Sequence, residues 1–212
     1  NVHEQLEEMG YGGRAVSLMA YYKYSKKREE FPFSYYLSLF HNNSLYNGIV
    51  ARFEYHKGDM TYSANYLMQR KGGDFPIVTQ GTAVDLEYEN GNFSSVLAFF
   101  YTQDPNEGIL RKLKGEDDKV YSLGAKLLGA YKFNIDGKVV KDIEPVILAS
   151  YFLPDNEISD NHAIQALVGV NLYFHKLVKL RLNGDLRLTK NQFNSDYSTK
   201  ESRAIVEMQM SF

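Results

Sequence analysis

The chain has 212 residues, with 24 Lys plus Arg against 26 Asp plus Glu, a formal net charge of -2 and no cysteine. That excludes a disulfide scaffold, thiolate metal sites and a cysteine nucleophile, and it leaves no global basic surface that would call for nucleic acid. Hydrophobic residues make up 44% and aromatics 14%, with 17 Tyr and 13 Phe but no Trp, a supply of strand formers and of rings suited to a membrane interface.

Residues 1–13 open with an acidic, helix-like piece at 4–9 followed by Tyr-Gly-Gly, and read as a loop remnant. No initiator Met or signal peptide is present, so the chain is expected to begin after processing or partway into a longer protein. From 14 to 25, Val16, Leu18, Ala20, Tyr22 and Tyr24 alternate with other residues, and this period of two predicts a first strand. A charged loop at 26–30 leads to Phe31, Phe33, Tyr35, Leu37 and Leu39, which share a face. His41-Asn42-Asn43-Ser44 predicts a turn. The third strand sets Leu45, Ile49, Ala51, Phe53 and Tyr55 against Arg52, Glu54 and His56. Lys57-Gly58-Asp59 reverses the chain, and Met60, Tyr62, Ala64, Tyr66 and Met68 then alternate with Thr61, Ser63, Asn65 and Gln69.

After a loop with Gly72, Gly73 and Pro76, a fifth strand places Thr82, Val84, Leu86 and Tyr88 opposite Asp85, Glu87 and Glu89. Asn90-Gly91-Asn92 is a hairpin signal, because Asn-Gly accepts the positive φ of a type I′ turn. Phe93, Leu97, Phe99 and Tyr101 mark the sixth strand, and the charged stretch 103–118 reads as irregular, with no helical period. The seventh strand sets Tyr121, Leu123, Ala125, Leu127, Tyr131 and Phe133 against Ser122, Gly124, Lys126 and Lys132, before a turn at Asp136-Gly137. Residues 144–153 alternate too poorly for their faces to be assigned. Ile164, Ala166, Val168, Val170, Leu172 and Phe174 lie opposite Gln165 and Asn171. Beyond His175-Lys176, Val178, Leu180, Leu182, Leu186 and Leu188 oppose Lys179, Arg181, Asn183, Asp185 and Arg187. A polar loop at 190–199 returns to the last strand, where Ala204, Val206, Met208, Met210 and Phe212 alternate with polar residues.

No apolar run approaches the roughly 18 residues of a membrane-crossing helix. Mean hydropathy is -0.39, but a barrel escapes that index because only alternate residues meet lipid. The expected fold is all-β, an antiparallel up-and-down transmembrane barrel with about eleven strands in this chain, and residues 14–212 as one domain. The segments run about 10 to 13 residues, against a mode of about 5 to 6 in globular proteins and about 9 to 11 for a tilted membrane strand. Rings gather near strand ends, at Tyr22 and Tyr24, Phe53 and Tyr55, Phe99 and Tyr101, Tyr131 and Phe133, and Tyr173 and Phe174, as in an aromatic girdle. Bacterial single-chain barrels have even strand numbers with both ends in the periplasm. Eleven strands ending inward would leave 1–13 outside the cell, so amino-terminal strands are expected to be missing, with a miscounted strand as the alternative.

Residues 167–191 (LVGVNLYFHKLVKLRLNGDLRLTKN), preceded by 145–154 (PVILASYFLP) and followed by 203–212 (RAIVEMQMSF), resemble the end of a phosphate-selective porin O and P family protein. The shared features are a Gly-x-Asn-Leu-Tyr-Phe strand, a short turn, a basic strand and a terminal aromatic. The resemblance covers about the last third of the chain. It implies a trimeric barrel of about sixteen strands when complete, in the outer membrane of a Gram-negative bacterium.

Eleven charged residues are the candidate pore-lining set: Arg52, Glu54, Asp85, Glu87, Lys126, Lys179, Arg181, Asp185, Arg187, Arg203 and Glu207. Lys179, Arg181 and Arg187 would form a basic track, joined by Arg52, Lys126 and Arg203, and such a track favours anions. The acids on the same side could equally brace the wall through salt bridges. Two functions therefore stay open: a porin passing small hydrophilic solutes or anions, and a non-conducting accessory barrel in a larger outer-membrane assembly. Lipid, lipopolysaccharide and either copies of itself or other outer-membrane proteins are the expected partners, with no nucleic acid. No catalytic residue, metal or cofactor is expected. The histidines His3, His41, His56, His162 and His175 are scattered, and both the His41–Ser44 run and Asp160-Asn161-His162 have the make-up of turns as much as of a catalytic set. Asp155, Glu157 and Asp160, and Glu116, Asp117 and Asp118, are hard-cation or lipopolysaccharide candidates whose simpler reading is solvated loop acid.

Overall fold

Period-two segments become strands, and strands adjacent in the sheet run antiparallel, the only return that connections shorter than about a dozen residues allow. The computed structural model describes residues 16–25, 31–42, 46–71, 76–135, 137–158, 161–175, 178–189 and 202–210. The amino-terminal piece 1–13, the charged loops 26–30 and 190–199, Leu45, Asp136, Asp160, Ser211 and Phe212 lie outside the described residues. The strands are β1 (Val16–Tyr22), β2 (Phe33–Asn42), β3 (Tyr46–Lys57), β4 (Met60–Lys71), β5 (Ile77–Asn90), β6 (Phe93–Gln103), β7 (Tyr121–Tyr131), β8 (Phe133–Asn134), β9 (Asp142–Leu153), β10 (Ala163–His175), β11 (Val178–Thr189) and β12 (Arg203–Met210). All belong to one antiparallel sheet whose spatial order follows the sequence, with the two-residue β8 beside β9. Among the described residues β1 and β12 are the edges and do not pair with each other.

His41 and Asn42, expected in a turn, instead pair with Asn47 and Tyr46 at the end of β2; beyond such shifts at strand ends, the expected strands recur with three differences. First, β5 begins at Ile77, before the expected Thr82, and runs 14 residues. Ile77 and Thr79 are buried, and Ile77 packs under Gly108 of the next connection. Second, the seventh segment divides at Lys132, so that Phe133–Asn134 pairs separately with β9. Third, the stretch read as irregular contains a helix, α1 (Pro105–Leu113). Asp104 caps it, its carboxylate accepting from the amides of Asn106 (2.8 Å) and Glu107 (3.1 Å). Proline occupies the first turn, where its missing N–H costs nothing, and Arg111 and Lys112 sit at the carboxyl end, where positive charge is favoured. At nine residues the helix is too short to announce itself by hydrophobic period.

Connection lengths alternate, with exceptions. The β3–β4, β5–β6 and β10–β11 links are two residues each, while β6–β7, β9–β10 and β11–β12 are longer. At the β5–β6 turn the central pair is Gly91-Asn92, one residue later than an Asn-Gly centre, with Gly91 at φ 52°. The exceptions are the 23–32 and 132–141 links, long at the short-turn end, and the brief β2–β3 link at the other.

Candidate functional site

Cross-strand partners share a face, so the register assigns every strand residue to one of two sides. One side carries Leu18, Leu37, Phe53, Tyr66, Val84, Phe99, Leu127, Ile147, Val168, Leu186 and Val206, among others. Apart from Met19, Tyr21 and Val50, every large hydrophobic that is exposed within a strand belongs to this apolar face. Leu188 is 69% exposed and Val206 72%. The opposite, polar face is more enclosed: Ser34, Ser63, Gln69, Thr79, Thr102, Ser122, Ser150 and Asp185 are all buried there.

All eleven candidate residues fall on the polar face. The row Glu54, Ser63, Asp85, Ala98, Lys126, Ser150, Gln165 and Arg187 runs pairwise from β3 to β11, and Arg181–Glu207 and Asp185–Arg203 are direct pairs on β11 and β12. The residues form separate clusters. Arg52 donates from Nε to Glu54 (2.6 Å), through both terminal nitrogens to Asp85 (3.2 Å each), and on to Ser63 (2.8 Å) and Asn65 (3.1 Å). Glu87 stands 3.8 Å from the same guanidinium. Around Asp185, which is 1% exposed, Arg187 (2.9 Å) and Arg203 (3.1 Å) close with Gln165 (2.7 Å). Arg181 reaches Glu207 at 3.2 Å.

The anticipated basic track is therefore mostly paired off. Arginines and acids two residues apart on one strand, or directly opposite on the next, come within reach because the side-chain period is two. What remains is an asymmetry: Arg52 faces three carboxylates on β3–β5, whereas Asp185 faces two arginines on β11–β12. Lys179 lies over the Tyr173 ring at 5.9 Å. Lys126 has no carboxylate within 4.0 Å among the described residues, unlike its arginine neighbours.

Sequence reading missed two further groups on this face. Glu144 accepts from Asn171 (2.6 Å) and the Tyr173 hydroxyl (2.8 Å). His56 contacts Ser34 Oγ (2.8 Å) and Thr61 Oγ1 (3.1 Å). Ser34 is fully buried, accepts from the Tyr24 amide and lies under a Tyr24 ring stacked on His56 at 4.7 Å. That enclosure leaves no room for a substrate at the Ser34 hydroxyl. Period-two spacing set His56 on the polar side of its strand, and only the β2–β3 register shows that it meets Ser34.

At one end of the polar face α1 lies over β5. A Cβ on Gly108 would stand 3.4 Å from Ile77 Cδ1 and against the Asp118 carbonyl, so the close approach requires glycine. Lys71 donates to Asn106, and Lys112 to the Pro76 carbonyl (3.0 Å). Arg111 bridges to Asp155 and to Glu157 (2.9 Å) on the β9–β10 connection. Two of the loop acids proposed for a cation are thus taken by a guanidinium, and no group of three possible metal ligands exists among the described residues. Burial alone would lower the Arg111 pKa, but Glu157, Asp155 and Glu107 outweigh it and hold it above its ordinary value. Below this cap, Phe100 and Phe152 pack at 6.0 Å, with the Phe100 ring filling the space above Gly124.

The chain matches no protein-family model, no curated protein and no solved structure.

Proposed function

We propose that the sheet is the wall of an outer-membrane barrel, with the apolar face toward lipid and the polar face toward a water-filled lumen, and that the protein is a porin for small hydrophilic solutes. The observation that carries this reading is the inversion of burial: large hydrophobics exposed on one whole face, small polar and charged residues enclosed on the other. In water each half-exposed Leu or Val forgoes roughly 1 kcal/mol of burial, and repeated across the strands that loss exceeds the 5–15 kcal/mol net stability of an ordinary domain. A bilayer removes the penalty. Strand length agrees. Twelve residues, as in β3, β4, β9 and β11, extend about 40 Å and, tilted by about 40°, cross roughly 30 Å of hydrocarbon.

Lipid also demands that no backbone donor or acceptor be left bare. The outer edges of β1 and β12 must therefore be paired in the membrane, with each other or with further strands. The sixteen strands and the trimer implied by the porin O and P resemblance are part of this proposal, as are lipopolysaccharide contacts at the long-connection end. The paired charges favour a weakly selective pore over a strongly anion-selective one, because Arg52 and Arg181 are offset by acids and Arg187 and Arg203 share Asp185.

The cap formed by α1 supports a second reading, a narrowed or non-conducting barrel serving in a larger assembly. Planar-bilayer recording from the full-length protein separates the two. Stepwise conductance is the expected result. A folded, inserted barrel that never conducts and co-purifies at fixed stoichiometry with a different protein would replace the porin with the accessory subunit.

A further inference from the structure

Not every position on the polar face is polar. Val96, Leu128, Leu148 and Leu167 occupy one register row on β6, β7, β9 and β10, each paired directly with the next. All four are partly exposed. At about 4.8 Å between strands the row runs about 14 Å. It adjoins Glu87, opposite Val96, and Asp185, opposite Leu167, and Asp185 is more than offset by the two arginines it holds. One step along the strands, Lys126 stands between Ala98 and Ser150 in the neighbouring row, without a carboxylate within 4.0 Å among the described residues. Ser150 and Gln165, its polar companions, are neutral and hydrogen-bonded to each other at 3.4 Å.

A wall that holds only water gains nothing from four aliphatic side chains side by side, since each raises the free energy of the water against it. An apolar solute lying on the row recovers that energy. An uncompensated ammonium one step away selects the sign of the solute's charge. A single cation flanked by neutral groups suits one negative charge better than a polyvalent phosphate.

We infer that Lys126 and the aliphatic row form a binding site for amphiphilic monoanions: carboxylates carrying an apolar body about as long as the row. The site rests on the reading of the polar face as water-lined. The carboxylate sits at the Lys126 amine, and the body lies across Leu128, Leu148 and Leu167. Solutes of this class are then retained on their way along the lumen, whereas acetate, which has the charge alone, is not.

The test is calorimetric titration of the full-length protein in lipid nanodiscs with 4-phenylbutyrate, acetate and 4-phenylbutan-1-ol, beside bilayer recording of the same preparation. 4-Phenylbutyrate is expected to bind at least about tenfold more tightly than either control, as loss of a charged contact or of an apolar body would dictate. Lys126→Gln should weaken it about tenfold while Lys126→Arg retains it, and Leu148→Asn should weaken it about fivefold, all with unchanged strand content by circular dichroism. Equal binding of acetate, or affinity unaffected by Lys126→Gln, would overturn the site. Conductance without 4-phenylbutyrate binding removes the site and leaves the pore. Binding without conductance leaves the site and removes the pore.

Discussion

Asp185 shows how much a single carboxylate can organise. Its side chain is 1% exposed and receives Arg187, itself 8% exposed, as well as Arg203 and Gln165. Removing one partner of an enclosed charge set leaves the others uncompensated, at a cost of roughly 3–5 kcal/mol, whereas replacing the set by apolar groups is close to neutral. Asp185→Asn should therefore lower stability by roughly 3 kcal/mol, the lower end because Arg203 is half-exposed. Asp185→Leu combined with Arg187→Met should recover most of that loss. Urea unfolding in lipid vesicles reads both, and a neutral Asp185→Asn would show that the cluster does not hold the wall. The sequence put Asp185, Arg187 and Arg203 on one face through their spacing, but it could not show that they meet. Contact between β11 and β12 depends on register across a connection of more than a dozen residues, and nothing within either strand encodes that register.

At the scale of elements, strands whose two faces differ sharply were legible, and strands apolar on both sides were not. β11 alternates Leu and charge throughout, so its faces follow from period two. β9 resists assignment because its polar-face positions include Val146, Leu148 and Phe152 alongside Glu144 and Ser150; its unclear pattern is the same feature that builds the aliphatic row. α1 was missed for another reason, since nine residues held by a cap and by ion pairs to a distant connection carry little signal of their own. The facing of β11 gives a sharp comparison. Leu182→Arg places a charge on the apolar face near mid-strand, where a bilayer charges roughly 2–4 kcal/mol, while Asn183→Arg, one residue on, meets the polar face at little cost. Yield of folded protein in vesicles should fall for the first and hold for the second. Equal yields would argue that neither face meets lipid.

For the whole molecule, composition excludes more than it indicates, and the alternation of faces is what carries the proposed barrel. Net charge and hydropathy average the two faces that the sheet keeps apart, so neither index registers their difference. What meets the outer edges of β1 and β12, which are unpaired among the described residues, is encoded within neither strand. The absence of cysteine supplies the most direct test, because each introduced cysteine is then a single reporter. Lys179, Arg181 and Asn183 on the polar face of β11, and Leu180, Leu182 and Leu186 on the apolar face, are replaced one at a time in protein inserted in vesicles, and each is exposed to a charged, water-soluble maleimide. Rapid labelling of the first three with protection of the second three is the predicted result. Uniform labelling of all six, or the reverse alternation, would contradict a wall with water on one side and lipid on the other.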